Sequence, residues 1–235
     1  LNPLLLNNSL TASADQPILL ISDLHLSAQR PATTELAISY LANARGASAL
    51  FILGDLFDYW LGDDAISPDT LPFITALSTL SQSGTDVYLM HGNRDFLLGE
   101  QFAKQVGATL IRDDEIIVSM NNQSVLLLHG DTLCTDDHGY QQLRSMLRAP
   151  AWQSEFLAKT IEQRIEMAMQ LREQSQEAVA GANTVAWYWV IGTTHTQWLG
   201  VLTDGSLCWS VLAMIKKRDW FMVIHFFKGS LACQQ

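Results

Sequence analysis

The chain runs to 235 residues, 48% hydrophobic and 16% charged, which suits one globular core with room for a small insertion. Lys and Arg number 14 against 24 Asp and Glu, a formal net charge of -10. That balance argues against a duplex nucleic-acid partner, whose phosphates need a basic face, and leaves acidic side chains to gather round metal ions.

The opening LNPLLLNNSL is apolar but short and lacks a basic flank, so it is a weak signal-peptide candidate. No apolar run reaches about 18 residues, so no membrane-spanning helix is expected. A predicted strand, PILLIS, leads to ATTELAISYLANAR, whose apolar residues fall at helical spacing. ALFIL precedes a second helical stretch, LPFITALSTLSQS; VYLM precedes a shorter one, GEQFAKQVG; SVLLL follows. Unbroken apolar strands alternating with helices predict an α/β layered fold with buried strands. Residues 140–180 break the rhythm. They are helical by composition, with Trp152, Phe156, Ile161 and Ile165 on one stripe, and Arg144, Arg148, Lys159, Arg164 and Arg172 enrich them in positive charge. They read as a helical cap between two strands, dividing the chain into a core of 1–139 and 181–235 and a cap of 140–180. A last run, WYWVI, leads into Gly192-Thr193-Thr194-His195. Cys134, Cys208 and Cys233 form no CxxC pair and read as reduced thiols of a cytoplasmic protein.

The ends of the apolar runs carry the chemistry. LLIS is followed by Asp23-Leu24-His25, and FIL by Gly54-Asp55-Leu56-Phe57-Asp58. YLM is followed by His91-Gly92-Asn93-Arg94-Asp95, and LLL by His129-Gly130-Asp131. Singly, each is an ordinary turn signal. Together and in order, they place Asp, His and Asn on the rim at the carboxyl ends of the strands, where open α/β sheets bind ligands. That donor set suits a divalent ion such as Mn²⁺. Two ions about 4 Å apart can activate a water and clamp a phosphate for in-line displacement, and Asp55 is the candidate bridge between them. Gly54, Gly92 and Gly130 permit close backbone approach. Trp60 is expected to pack under the sheet; the apolar stripe of the cap is either core or lipid contact.

The order DxH, GDxxD, GNxD and HGD resembles the calcineurin-like metallophosphoesterases. The fuller strings ISDLHLS, ILGDLFDYWLGDD, HGNRDFLLGEQFA and LLHGDTLCTDD resemble their UDP-2,3-diacylglucosamine pyrophosphatase branch, the manganese enzymes of lipid A biosynthesis. The likeness is dense from Ile18 to Arg148 and weaker beyond, and Arg94 belongs to it, since most of the superfamily carries His there. The resemblance implies a layered sandwich of β-sheets flanked by helices, with an inserted helical cap. It implies hydrolysis of UDP-2,3-diacylglucosamine, water attacking the α-phosphorus to give UMP and 2,3-diacylglucosamine 1-phosphate. It implies two Mn²⁺ per chain: Asp23, His25, Asp55 and His195 on the first, and Asp55, Asn93, His129 and one further histidine on the second. Arg94 and Asp95 join Asp55 as catalytic candidates, and Asn93, Arg94, Asp137, Arg172 and Ser175 are the implied substrate contacts. The partner is then a lipidated UDP-sugar, met peripherally on the cytoplasmic face of a bacterial inner membrane. No nucleic acid is expected, and nothing selects an oligomeric state.

The pattern departs at its last motif. The family's Gly-His-x-His is Gly192-Thr193-Thr194-His195 here, with Thr193 in the place of a second-metal histidine. The second site is therefore expected to be the weaker. After SQEAVAGANT the chain reaches WYWV sooner than the family does, and WSVLAMIKKRDWFMVI replaces a strand ending Leu-Gly-Asp-Trp. Two other readings stay open: a related metallophosphoesterase acting on another nucleotide diphosphate, and a weakly active homologue that holds substrate or product.

Overall fold

The computed structural model describes residues 4–10, 16–120, 123–135, 137–180, 187–189, 199–201 and 224–226. In chain order the strands are β1 (Leu4–Leu10), β2 (Ile18–Ser22), β3 (Ala49–Leu53), β4 (Asp86–Met90) and β5 (Ala108–Ile111). Then come β6 (Glu115–Met120), β7 (Gln123–Leu128), β8 (Trp187–Trp189), β9 (Leu199–Val201) and β10 (Ile224–Phe226). A parallel sheet runs β10-β2-β3-β4-β5, and a second sheet runs β1-β6-β7. The helices α1 (Pro31–Asn43), α2 (Leu71–Gln82) and α3 (Glu100–Val106) connect the parallel strands as their apolar spacing predicts.

All five residues of β3 are buried, because successive side chains enter different cores. Leu50 and Ile52 join Ile21, Val87 and Leu89 against the helices. Ala49, Phe51 and Leu53 join Ile18, Leu20, Tyr88 and Met90 against Ile116, Val118 and Leu127 of the second sheet. A strand covered on both faces must be apolar throughout, which is why ALFIL is. Phe51 stacks on Tyr88 with ring centroids 4.5 Å apart. Trp60 packs in the helix-side core, stacked on Phe57.

β5 and β6 were not expected: β5 has only Leu110-Ile111 together, and β6 only the short run Ile116-Ile117-Val118. Burial alternates along β6: Ile116, Val118 and Met120 are buried while the residues between are half-buried. The apolar opening of the chain is a strand too, β1, paired in parallel with β6. β8, expected as a core strand, pairs antiparallel with β9 in a separate two-stranded sheet among the described residues.

Residues 138–180 hold α4 (His138–Leu147), α5 (Pro150–Leu157) and α6 (Ile161–Ala180), so the helical reading of this stretch agrees with the structure. The single stripe does not. Trp152 and Phe156 stack together against the helix-side core, whereas Ile161 and Ile165 are 40% and 43% exposed. The break at residues 158–160 between α5 and α6 resets the helical phase, so apolar spacing carried across it does not share a face. Nor, among the described side chains, is the basic charge of the segment free. Arg144 pairs with Asp131 and Asp114, Arg164 with Asp64, and Lys159 with Glu155.

Candidate metal centre

The loops leaving β2 and β3 stay hydrogen-bonded after the strands end. Asp23 N donates to Gly54 O at 3.1 Å, His25 N to Asp55 O at 3.0 Å and Leu26 N to Leu56 O at 2.9 Å. This path puts Asp23, His25 and Asp55 at φ of 56°, 47° and 52°, and among the described residues no other non-glycine has positive φ. Such conformations cost on the order of 1–3 kcal/mol each and persist only where the surroundings impose them. Their return is convergence: one ligand atom from each of the three lies within 4.8 Å of the others. His25 Nε2 stands 3.8 Å from Asp23 Oδ1 and 3.7 Å from Asp55 Oδ2.

Asp55 is brought in by two close approaches. A Cβ on Gly54 would fall 2.6 Å from Gly92 Cα and 2.7 Å from His129 Nδ1, and one on Gly92 would collide with Asp55. Both positions therefore require glycine. Asp95 holds the same turn. Fully buried, its carboxylate accepts from the amides of Leu56 at 2.7 Å, Gly92 at 2.9 Å, Asp55 at 3.2 Å and Phe57 at 3.4 Å. Asp95, expected among the catalytic residues, thus turns both oxygens to backbone amides of the turns that carry Asp55 and Asn93.

His129 approaches from the end of β7. Its Nδ1 lies 2.8 Å from Leu53 O, which makes that nitrogen the donor and directs Nε2 toward Asn93 Oδ1 at 3.0 Å and Asp55 Oδ1 at 3.8 Å. A carbonyl fixing the remote imidazole nitrogen is the usual support of a ligating histidine. Arg94 N donates to Asp55 Oδ1 at 2.9 Å. Its half-exposed guanidinium lies 3.9 Å from Asp55 Oδ2 and 3.4 Å from Asp58 Oδ1.

Burial lifts the Asp55 carboxyl to about 7; His129 opposes the rise, while Asp23 and Asp95 add to it. Burial would push His129 down, yet Asp55, Asp23 and Asp131 hold it at about 9. Burial likewise raises Asp23. Clustered carboxylates withdrawn from water demand positive charge, and a divalent cation on oxygen and imidazole donors meets that demand.

The structure thus brings together Asp23, His25, Asp55, Asn93, Arg94 and His129. Asp137 is exposed and is the N-cap of α4, accepting from Tyr140 N at 2.9 Å. Arg172 and Ser175 fall on α6, but their side chains lie outside what the structure describes, as do Thr193 and His195. Two groups escaped the sequence reading. Asp131, buried, accepts from Arg144 Nε at 2.7 Å and Tyr140 Oη at 2.6 Å, and Arg148 Nη2 donates to Gly92 O at 2.9 Å. HGD shows Asp131 itself, but its pairing with residues nine and thirteen positions on is a tertiary fact.

The calcineurin-like phosphoesterase family model matches residues 16–181. The chain is similar to a protein of Chromohalobacter salexigens named UDP-2,3-diacylglucosamine hydrolase, with 50% identity over 161 residues, 68% of this chain and 65% of that one. A protein of the same name from Stenotrophomonas maltophilia is 48% identical over 159 residues, 67% of this chain and 64% of that one. One from Pseudomonas entomophila is 47% identical over 170 residues, 71% and 70% of the two chains. The chain therefore spans about two thirds of the length of these curated relatives, just under that share for the first two. The solved nuclease MPE of Pseudomonas putida overlaps it with a TM-score of 0.30 and 23% identity, over 39% of this chain and 46% of that one. With the family model covering most of its length and the family's strand-end residues converging on one rim, the chain belongs to the calcineurin-like phosphoesterases.

Proposed function

We propose that this protein hydrolyses the pyrophosphate bond of UDP-2,3-diacylglucosamine, releasing UMP and 2,3-diacylglucosamine 1-phosphate. The observation that carries the reading is the convergence of Asp23, His25 and Asp55 through three strained backbone positions, beside Asn93, Arg94 and His129. The name shared by the relatives supplies the substrate. Two Mn²⁺ are the proposed cofactors: Asp23, His25, Asp55 and His195 for the first, and Asp55, Asn93 and His129 for the second. Bound there, divalent cations supply an activated water and neutralise phosphate charge.

The chain's own groups do the rest. Asp55 presents Oδ1 toward His129 and Oδ2 toward His25, so one carboxylate faces both halves of the centre. Arg94 can turn its planar fork of donors to phosphate oxygens from beside Asp55. Asn93 is the second proposed phosphate-side contact. Asp137, Arg172 and Ser175 remain proposed contacts to the glucosamine and head of the substrate. In this reading 1–139 with 181–235 is the catalytic core and 140–180 a cap over it.

No described helix is long and apolar enough to cross a membrane. Peripheral contact with the cytoplasmic face of the inner membrane is proposed through exposed apolar side chains such as Ile161, Ile165 and Met169. The described arginine side chains of the segment, Arg144, Arg148 and Arg164, are engaged in ion pairs, so apolar contact rather than basic charge carries that proposal.

The test is turnover of UDP-2,3-diacylglucosamine against a water-soluble UDP-sugar, with and without Mn²⁺ after chelation. A large preference for the lipidated substrate that depends on Mn²⁺ is expected. Equal or better turnover of the soluble sugar would assign the chain to another nucleotide diphosphate.

A further inference from the structure

We propose that Arg144 of α4 and Arg148, which caps its C-terminal end, are positioning residues for the Asn93–His129 half of the centre, so that the helical segment sets the affinity of the second cation. The proposal rests on the metal-centre reading above. α4 buries no residue of its own, so apolar packing does little to hold it. Polar contacts attach it instead. Arg148 Nη2 donates at 2.9 Å to Gly92 O, the carbonyl of the peptide bond that leads into Asn93. Its guanidinium also lies over the Phe96 ring, 5.6 Å from the centroid, and 3.7 Å from Asp114.

One turn earlier, Arg144 Nε donates at 2.7 Å to Asp131 Oδ2, an oxygen it shares with the Tyr140 hydroxyl at 2.6 Å, and its Nη2 pairs with Asp114. Gln141 Nε2 adds a bond to Asp131 O at 2.9 Å. Asp131 begins the turn that follows His129 and is 2% exposed, so these donors meet it inside the protein. α4 therefore grips two loops at once, one beside Asn93 and one beside His129. Those two side chains touch each other, His129 Nε2 to Asn93 Oδ1 at 3.0 Å, and their separation is set by the loops that α4 joins. Asp23 and His25 are outside this grip: their loop is zipped to Gly54, Asp55 and Leu56 instead. The brace acts on one half-site only, and groups that orient ligands from behind change metal affinity by about 10–100-fold.

The test is Mn²⁺ titration of the full chain by calorimetry, with electron paramagnetic resonance to detect a spin-coupled pair. Arg148→Met keeps the apolar stem over Phe96 and removes the donor to Gly92. Arg144→Lys keeps the charge and loses the fork that spans Asp131 and Asp114. Each variant is expected to weaken the second Mn²⁺ about 10–100-fold, leave the first unchanged and delay the coupled signal to higher Mn²⁺. Arg112→Ala, which breaks an exposed pair with Glu100, is expected to change neither ion. Thermal melts taken alongside report folding, and Arg144→Lys is the variant that stays informative if Arg148→Met unfolds. Two ions bound by the unmutated chain and equally well by both variants would overturn the brace alone. Equal weakening of both ions would overturn it in favour of general loosening. An unmutated chain that binds no Mn²⁺ would sink the metal reading, and the brace with it.

Discussion

Asp55 is the residue on which both halves of the centre close: its two oxygens face His25 and His129, and its amide is held by Asp95. Asp55→Ala is expected to lose both ions and to lower turnover by more than the 10²–10³-fold typical of removing one positioned group. Asp95→Asn separates a positioning role from a catalytic one. An amide in place of the carboxylate strands some of four buried N–H groups, so the melting temperature should fall by the equivalent of about 1–3 kcal/mol and metal affinity with it. A stable Asp95→Asn with normal ion binding and a purely catalytic defect would place it in the chemistry instead. Arg94→Ala should lower kcat with metal content kept, and Lys should rescue only in part, since it lacks the fork. At this scale the sequence revealed the donors, because Asp, His and Asn recur after each apolar run. It could not separate Asp55 from Asp95, which are the same residue type in neighbouring motifs. What divides them is which loop amides each one meets, and that is a tertiary fact. The positive φ of Asp23, His25 and Asp55 was hidden for the same reason: no local signal asks for it, and the zipped loops impose it.

The elements dock through buried guanidinium groups as well as apolar faces. Arg164, 4% exposed, donates to Leu61 O at 2.9 Å, Leu157 O at 2.5 Å and Lys159 O at 3.0 Å, and to both oxygens of Asp64 at 2.6 and 2.9 Å. It ties α5 and α6 to the loop after β3. Arg164→Ala leaves three carbonyls short of a donor and is expected to cost at least about 1–3 kcal/mol, read as a lower melting temperature. The Arg164 hydrogen bonds hold the Asp64 carboxyl below its usual range. A depressed carboxyl contributes stability above the unfolded value of about 3.9, and that contribution fades as pH falls through the folded value. The melting temperatures of the unmutated chain and Asp64→Asn should therefore differ near neutral pH and converge in acid. The gap should be small, because the Asp64 side chain is 57% exposed. A gap that widens in acid would contradict the pairing. Helical periodicity made α1, α2, α3 and the helical nature of 138–180 legible. It missed that most arginines of that segment point inward, since a basic side chain has the same letter whether it meets solvent or a buried carboxylate.

The described core is a parallel sheet covered on both faces, and its strongest dependence is on the strand buried by both. Phe51→Ala should cost about 3–5 kcal/mol, measured by denaturant unfolding, through lost burial and the cavity left between the sheets. Strands β2, β3 and β4 of the parallel sheet were legible from their continuous apolar runs; of the second sheet only β7 was, because the apolar run of β6 is short and β1 reads like a short leader. Chemistry is where all these levels meet. Turnover of UDP-2,3-diacylglucosamine in ¹⁸O-water with Mn²⁺, followed by mass spectrometry of both products, tests the proposed reaction directly. One ¹⁸O in UMP and none in 2,3-diacylglucosamine 1-phosphate is expected, with turnover lost on chelation and in Asp55→Ala. Label in the lipid phosphate, or turnover that survives the loss of Asp55, would contradict hydrolysis at the α-phosphorus by this centre.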